Sequence, residues 1–170
     1  MLLLGLGSNL SSSFGNRFTN IDLAISYLQS YKIKLRKKSS FYETLSYPNK
    51  KNPKFINVMI EASTYLPLTD LASVLIFIEE KLERRRNKKN DPRTCDIDII
   101  DFNCQIMNFK YENFNFTVPH KKISVRNFVL FPLREIVPEW KHPITNEPIK
   151  LLIDKLSIED KNSILKIKKP

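Results

Sequence analysis

The order of the predicted elements, β-α-β-β-α-β, indicates an α+β fold of the ferredoxin-like kind, with an antiparallel sheet and both helices packed on one face. Two segments, 21–28 and 71–82, repeat their apolar residues with the spacing of amphipathic helices. Apolar segments that suit strands surround them, and the chain of 170 residues has the length of one ordinary domain. Because no repeat or linker interrupts the pattern, we expect a single domain over residues 1–160.

The strands of the core are predicted where apolar, β-branched and aromatic residues cluster. Residues 2–6 form a short apolar run, which polar residues from 8 onward end. Residues 33–42 alternate in part, and residues 55–66 are rich in Ile, Val, Thr and aromatic side chains. A loop with two prolines separates these two segments. After the second helix a polar loop at 87–92 leads into a strand at 95–102.

The last third of the chain adds a few weaker elements. A strand is predicted at 114–118 and a short helical stretch around 128–136. Residues 161–170 contain four lysines and are predicted to be a loose tail. No apolar run approaches the ~20 residues that cross a bilayer, and the brief apolar start is interpreted as a strand, not a signal peptide.

Composition restricts the partners and the compartment. The formal net charge of +10 suits a polyanionic partner, but a general excess of lysine explains it equally well. A local cluster at 84–93, with six cations and one acid, is more specific. Cys95 and Cys104 form no C-x-x-C pair, which favours a reducing, cytoplasmic setting. Two histidines and two scattered cysteines cannot supply a closed zinc site.

The three glycines, Gly5, Gly7 and Gly15, exclude both glycine-rich nucleotide motifs. Neither the spacing of a phosphate-binding loop nor that of a dinucleotide fingerprint is present. The favoured interpretation of Gly5 and Gly7 is a tight turn that ends the first strand. A bound nucleotide would therefore need side-chain cations and a metal to hold its phosphates.

Asp96 and Asp98 are two carboxylates that strand alternation places on one face, with Cys95, Ile97 and Ile99 on the other. They repel each other unless the face is exposed or a hard cation binds between them. Magnesium favours a few carboxylate oxygens together with waters and substrate phosphates. Arg93 precedes the pair, and Arg84 and Arg86 lie one loop away, which is the layout that a magnesium–triphosphate complex requires.

Taken together, these motifs resemble the 6-hydroxymethyl-7,8-dihydropterin pyrophosphokinases along nearly all of the chain. The P-R-T-x-D-I-D string and the V-P-H string are specific in this order and spacing. The similarity rests on Gly7-Ser8-Asn9-Leu10, residues 40–44 and 55–57, Glu79 with residues 83–86, residues 91–98, Thr117-Val118-Pro119-His120, residues 126–130 and Pro132-Leu133.

The resemblance implies a magnesium- and ATP-dependent enzyme of folate biosynthesis with a small-molecule acceptor, acting as a monomer and binding neither nucleic acid nor membrane. Asp96 and Asp98 would bind two magnesium ions, and with Arg84 and Arg93 they would be the catalytic residues. The residues implied to bind ATP are Glu79, Arg84, Arg86, Arg93, Thr117, His120 and Arg126.

The implied pterin pocket consists of Thr44, Phe55, Asn57 and Phe128. Two aromatic rings can sandwich a flat pterin, and an asparagine side chain offers both a donor and an acceptor to its amide-like edge. The pterin's hydroxymethyl oxygen would attack the β-phosphorus of ATP, and AMP would leave. Because no side chain stands out as a general base, positioning and charge stabilisation should supply most of the catalysis.

The sequence departs from the family pattern at several places. Residues 87–91 lack the Trp that many relatives carry, Glu83 stands where a Gly is frequent, and Ile76 replaces a Gln that contacts the nucleotide in some relatives. Residues 45–47 replace a proline-rich stretch. These changes affect loop closure and adenine contacts and leave the metal and phosphate groups intact.

Two alternatives belong to other classes. A small basic RNA-binding module would use aromatic side chains on an open sheet face, although its usual strand signature is absent. A different D-x-D enzyme, such as a nucleotidyl- or glycosyltransferase, would release pyrophosphate or a nucleoside diphosphate where a pyrophosphokinase releases AMP.

Overall fold

The structure, a computed structural model, describes residues 1–86, 88 and 90–169. Asn87 and Lys89 of the predicted polar loop, and Pro170 of the predicted tail, lie outside the described residues. The strands are β1 (Leu2–Ser8), β2 (Lys34–Lys38), β3 (Phe41–Thr44), β4 (Phe55–Ser63), β5 (Asp96–Phe102), β6 (Met107–Tyr111), β7 (Phe114–Val118) and β8 (Ile164–Ile167). The helices are α1 (Arg17–Ser30), α2 (Leu68–Lys81), α3 (Asn127–Ile136), α4 (Ile149–Asp154) and α5 (Ile158–Asn162), with a 3₁₀ turn at Ile123–Val125.

The predicted ferredoxin-like sheet is confirmed. Its strands lie in the order β5-β1-β4-β3-β8, β2 also pairs with β4, and every pair is antiparallel. The register places Gly7 opposite Asn57 on one side and opposite Asp96 on the other. Residues from three strands therefore meet at one end of the sheet.

Side-chain hydrogen bonds determine where two of the elements begin or break. The Asn16 side chain caps α1 by accepting the backbone N–H groups of Phe18 and Thr19. The extended segment predicted at 33–42 is divided into β2 and β3 at Ser39. The Ser39 hydroxyl accepts the Met59 N–H at 3.0 Å, in place of a backbone carbonyl of a regular ladder.

The two faces of the sheet pack against different helices. Leu4, Leu6 and Val58 belong to a core that includes the apolar faces of α1 and α2. The opposite face, with Leu3 and Met59, packs against α3 and α4. This second layer was not predicted. It covers much of the face that an RNA-binding module of this fold would leave open, which counts against that alternative.

The C-terminal third is more ordered than the sequence indicated. The strand at 114–118 and the helix at 128–136 are confirmed, but β6, α4, α5 and β8 were missed. The prediction of a loose tail at 161–170 is wrong for β8, because Ile164 to Ile167 pair with β3. β8 has only four residues, with Lys166 within it and Lys168 and Lys169 directly after it, so its alternation gave only a weak signal. Within the described residues, no helix has the length and apolar character needed to cross a bilayer.

Trp140 supports the second layer through a buried polar contact, and Trp140→Phe is expected to destabilise the protein. Its indole N–H donates to Asp101 Oδ2 at 2.8 Å, and the Asp101 side chain is fully buried. The smaller ring leaves a carboxylate oxygen without this donor and opens a cavity, which should cost about 3 kcal/mol. Urea unfolding measures the loss. Tyr65→Phe, at a fully exposed ring, is the control; equal stability of the two variants would contradict the prediction.

Candidate active site

The polar end of the sheet lies on the face that α3 covers, where β1, β4 and β5 run side by side. The predicted alternation of β5 is confirmed, since Cys95, Ile97 and Ile99 are buried in the core beneath α1 and α2. Asp96 and Asp98 point to the other face and keep 22% and 35% of their side-chain surface exposed. The two carboxylates are therefore accessible to a ligand.

Asp96 lies between two arginines. Arg84 Nη1 is 2.6 Å from Asp96 Oδ1, and Arg93 Nη2 is 2.6 Å from Asp96 Oδ2. Arg93 is fixed in turn by a bond from Nη1 to the Asp91 carbonyl at 3.1 Å. Burial opposes ionisation of Asp96, but the two guanidiniums outweigh it and lower the pKa of the carboxyl below its ordinary value. Asp96 is therefore a carboxylate at neutral pH.

Glu79 joins the arginines to the core. Its carboxylate accepts hydrogen bonds from Arg84 and Arg86, and it also accepts the Ile97 N–H at 2.7 Å. Only 5% of its side-chain surface is exposed. Arg84 therefore bridges Glu79 and Asp96, and one buried acid orients two cations of the site.

Glu79 is expected to make the stability of the protein fall as the pH rises. Burial raises the pKa of Glu79 from 4.5 to about 7, although Arg84 and Arg86 lower it. Since the folded state holds the proton more tightly than the unfolded chain, the stabilising contribution is complete below pH 4.5 and is lost as the pH passes 7.

Urea unfolding across this range provides the measurement. Between about pH 5 and pH 8 the wild-type free energy of unfolding should fall relative to that of Glu79→Gln, which has no carboxyl to titrate. Glu80→Gln, at the exposed neighbouring position, should follow the wild-type profile. Parallel curves for the wild type and Glu79→Gln would refute this linkage.

Asp98 pairs with a third arginine, and its negative charge acts on the nearby side chain of His120. Arg126 Nη1 donates to Asp98 Oδ2 at 2.8 Å. Burial lowers the pKa of His120 and Arg126 adds to this, while Asp98 opposes it. His120 Nδ1 accepts the Lys122 N–H at 3.1 Å, so the proton of the neutral ring lies on Nε2, which can donate to an anionic ligand.

The residues predicted to bind the pterin lie beside these carboxylates. Asn57 Nδ2 donates to Thr44 Oγ1 at 3.0 Å, which orients the amide and leaves its Oδ1 beside Gly7. The Arg93 guanidinium lies 4.9 Å from the centre of the Phe55 ring. Arg126 lies 5.3 Å from the Phe128 ring, so each aromatic ring contacts an arginine of the carboxylate cluster.

The prediction that Gly5 and Gly7 form a turn is wrong, because both lie within β1. These glycines contribute the space that a side chain would otherwise fill. A Cβ at Gly7 would lie 3.4 Å from the Phe55 ring and 3.5 Å from Asn57 Oδ1, and one at Gly5 would lie 3.3 Å from the Met59 sulfur. The missing side chain at Gly5 leaves room for the buried Met59 and Ile100, and the one at Gly7 leaves space beside Phe55 and Asn57.

A cavity of about 170 Å³ opens between α2, β5 and the β6–β7 hairpin. Glu79, Asp96 and Asp98 give it a polar side, and Phe114 and Phe116 supply aromatic walls that the sequence analysis missed. Their i, i+2 spacing on β7 was the available signal. Arg86 lies 4.7 Å from the Phe114 ring. Thr117, which alternates with Phe116, is not among the described residues that line this cavity.

The arginines also form the side of a larger, strongly basic cavity of about 400 Å³. Its described lining residues are Arg84, Arg85, Arg86, Lys88, Asn90, Asp91 and Arg93. The two cavities share Arg84 and Arg86. Ile76, where some relatives have Gln, lines the smaller cavity and makes its wall apolar at this position.

A metal at this site would depend on the substrate for part of its coordination. Among the described residues, no three acidic, histidine or cysteine side chains cluster closely enough to hold an ion. Asp96 and Asp98 are a pair of hard oxygen donors on one exposed face, which suits magnesium bound jointly by carboxylates, waters and phosphates.

A carboxylate pair surrounded by arginines, next to a cavity with aromatic walls, is the layout expected of an enzyme that acts on a phosphorylated nucleotide. Comparison with known proteins identifies the enzyme family. Residues 3–138 match the family model of 7,8-dihydro-6-hydroxymethylpterin-pyrophosphokinase. The chain therefore belongs to this family, whose enzymes transfer pyrophosphate from ATP to hydroxymethyldihydropterin in folate synthesis, and it is a pyrophosphokinase.

Individual relatives agree with this assignment. The 2-amino-4-hydroxy-6-hydroxymethyldihydropteridine pyrophosphokinase of Aquifex aeolicus is 32% identical over 147 residues, which cover 86% of each chain. That of Synechocystis is 32% identical over 91% of this chain and 75% of its own. A Plasmodium falciparum HPPK-DHPS structure has the same fold, with a TM-score of 0.75 and 17% identity over 98% of this chain and 46% of that one. The chain thus spans less than half the length of these Plasmodium falciparum chains.

Proposed function

We propose that this site binds the triphosphate of ATP through its arginines and His120, with two Mg²⁺ ions held by Asp96 and Asp98. One observation carries the proposal: each carboxylate is already paired with a guanidinium, through Arg84 and Arg93 at Asp96 and through Arg126 at Asp98. Without a ligand the arginines neutralise the acids. Mg²⁺ held by Asp96 and Asp98 would supply that neutralisation and polarise the phosphates, and the guanidiniums would then be available to the phosphate oxygens.

The nucleotide would occupy the smaller cavity. Phe114, Phe116 and Ile76 offer an apolar surface to a flat base, and Glu79 keeps Arg84 and Arg86 directed toward the cavity mouth. Arg84, Arg86 and Arg93 are partly buried, with 16% to 29% of their side-chain surface exposed. Solvent and salt would therefore screen their bonds to phosphate only weakly.

The pterin would lie against β1 at Gly7, between the rings of Phe55 and Phe128. Asn57 Oδ1, oriented by the bond from its Nδ2 to Thr44, would accept from the pterin's N–H edge. Arg93 contacts both Phe55 and Asp96, so the same guanidinium lies at the border between the two substrates. The hydroxymethyl group would therefore face the phosphate that Arg93 contacts.

In the transfer, the hydroxymethyl oxygen forms a bond to the β-phosphorus while the bond from that phosphorus to the α–β bridging oxygen breaks, and AMP leaves. The alcohol proton passes to solvent or to a phosphate oxygen. Arg84, Arg93 and His120 stabilise the negative charge that shifts among the phosphate oxygens. The residues thus act mainly by positioning the substrates and balancing their charge.

We also infer that the pyrophosphokinase domain extends beyond residue 160, because β8 pairs with β3, which contributes Thr44. A monomer is sufficient, since all residues assigned to the site come from one chain. Two free cysteines, Cys95 and Cys104, support a reducing compartment such as the cytoplasm.

The direct test incubates the purified chain with ATP, Mg²⁺ and hydroxymethyldihydropterin and follows AMP by chromatography. AMP should form only when all three are present. Release of pyrophosphate or ADP would indicate a different transfer, and AMP formation without a divalent cation would refute the role of Asp96 and Asp98. Omitting the pterin is the matched control, because hydrolysis of ATP does not need the acceptor.

A further inference from the structure

Helix α2 ends in a Schellman motif with a glutamate at the position that favours glycine. The Glu83 N–H donates to the Glu80 carbonyl at 2.9 Å, and the Arg84 N–H donates to the Glu79 carbonyl at 3.0 Å. Glu83 therefore adopts the left-handed conformation, with φ of 65°. A side chain is unfavourable there compared with glycine, because its Cβ crowds the following carbonyl oxygen. Something must offset this cost.

The Glu83 carboxylate makes two hydrogen bonds to one distant residue. Oε2 accepts the Ser13 backbone N–H at 2.9 Å, and Oε1 accepts the Ser13 hydroxyl at 2.5 Å. These bonds connect residues 70 positions apart in the sequence. We call this pair of bonds the Glu83–Ser13 clamp. It attaches the end of α2 to the loop that follows β1, immediately before Arg84.

The loop that follows β1 also holds the far end of the basic cluster at 84–93, which we call the arginine segment. The Asn9 and Leu10 N–H groups donate to the Arg93 carbonyl at 3.0 and 3.1 Å. The Arg93 N–H donates to Asn9 Oδ1 at 2.6 Å. The loop from Asn9 to Ser13 thus contacts the residue before Arg84 at one end and Arg93 itself at the other.

We propose that the Glu83–Ser13 clamp is a positioning element for catalysis, which fixes the start of the arginine segment so that Arg84 faces Glu79 and Asp96. Arg84 is the residue directly after the clamp, and its backbone N–H closes the motif that the clamp stabilises. Leu82 in the core and Asp96 hold the residues on either side, and within the described residues the bonds to Ser13 are the only side-chain hydrogen bonds that hold Glu83 itself. The proposal depends on the phosphate-binding role proposed for Arg84.

Glu83→Gly separates positioning from folding. Glycine adopts positive φ without strain, so the turn stays accessible and the protein should unfold at the same urea concentration or a higher one. The anchor is lost, however, and Arg84 has more conformations to lose when ATP binds. We expect the KM for ATP to rise about fivefold, as for the loss of one or two hydrogen bonds, while the KM for the pterin stays unchanged.

Glu112→Gly is the matched control. Glu112 is also an exposed glutamate at positive φ, 49°, but no hydrogen bond attaches its side chain to another residue in the described structure. It should gain the same backbone freedom with no effect on the KM for ATP. An equal rise in both variants, or no rise in Glu83→Gly, would overturn the proposal.

A double-mutant cycle with Ser13→Ala tests the contact itself. If the clamp acts as a unit, Ser13→Ala should add little to the effect of Glu83→Gly, and Glu83→Gln, which keeps an acceptor oxygen, should restore part of the affinity. Additive effects would contradict a shared contact. Arg84→Ala is measured in parallel: if it leaves the KM for ATP and turnover unchanged, the proposed role of Arg84 fails, whereas a defect there with a normal Glu83→Gly variant refutes the clamp alone.

Discussion

Asp98→Ala is expected to lower kcat/KM for pyrophosphoryl transfer by about a thousandfold or more, while the protein remains folded. Asp98 keeps 35% of its side-chain surface exposed and pairs with Arg126 at 2.8 Å. The fold therefore loses only one partly exposed ion pair, which contributes about 1 kcal/mol or less. The site loses one of two carboxylates proposed to bind Mg²⁺, and Arg126 loses the partner that directs it.

Three measurements check this prediction: AMP formation, Mg²⁺ titration and circular dichroism. Asp154→Ala removes an exposed acid on α4, away from the site, and serves as the control for the change in charge. It should retain wild-type activity. Normal turnover in Asp98→Ala would refute the metal assignment, and recovery of activity at high Mg²⁺ concentration would show that Asp98 contributes to affinity for the ion and not to the chemical step.

Arg93→Ala is expected to lower kcat by about 10²- to 10³-fold and to change ATP affinity much less. Arg93 contacts Asp96 at 2.6 Å and lies 4.9 Å from the centre of the Phe55 ring, so it occupies the border between the two proposed substrate positions. A cation there acts on charge that shifts during transfer. Arg84, Arg86 and His120, which are also proposed to bind the triphosphate, remain in this variant.

The comparison of kcat with the binding constant of a non-hydrolysable ATP analogue separates the two effects. Arg93→Lys keeps the charge but loses the second bond to the Asp91 carbonyl, so its rate should lie between those of the wild type and Arg93→Ala. Arg36→Ala, at an exposed arginine of β2, controls for the loss of positive charge. An equal loss of kcat and affinity in Arg93→Ala would assign Arg93 to simple binding.

Local patterns were sufficient for the core of the fold and for the acids of the site. Strand alternation alone placed Asp96 and Asp98 on one face, because neighbouring side chains of any strand point to opposite sides. Helical spacing predicted α2, although its limits were off by a few residues at the N-terminal end, where Leu68 begins the helix. These features depend on residues adjacent in the sequence.

The errors occurred where contacts distant in sequence override local preference. Gly5 and Gly7 suggested a turn from composition, but pairing with β4 and β5 on both sides keeps them extended. β8 has a weak pattern of its own, and its pairing with β3 stabilises it. The left-handed conformation of Glu83, for which the sequence carried no prediction, likewise coincides with a distant contact: Ser13, 70 residues away, donates two hydrogen bonds to its carboxylate.

The sequence by itself determined the fold class, the carboxylate pair, the nearby arginines and, through the family motifs, the reaction. Only the tertiary structure decided how these groups pair: which arginine contacts which acid, that Glu79 directs Arg84 and Arg86, and that Phe114 and Phe116 wall the cavity. The physical reason is the separation in sequence between the residues that interact. Backbone periodicity is set by neighbouring residues, whereas ion pairs and cavities arise when the antiparallel register brings separate strands to the same end of the sheet.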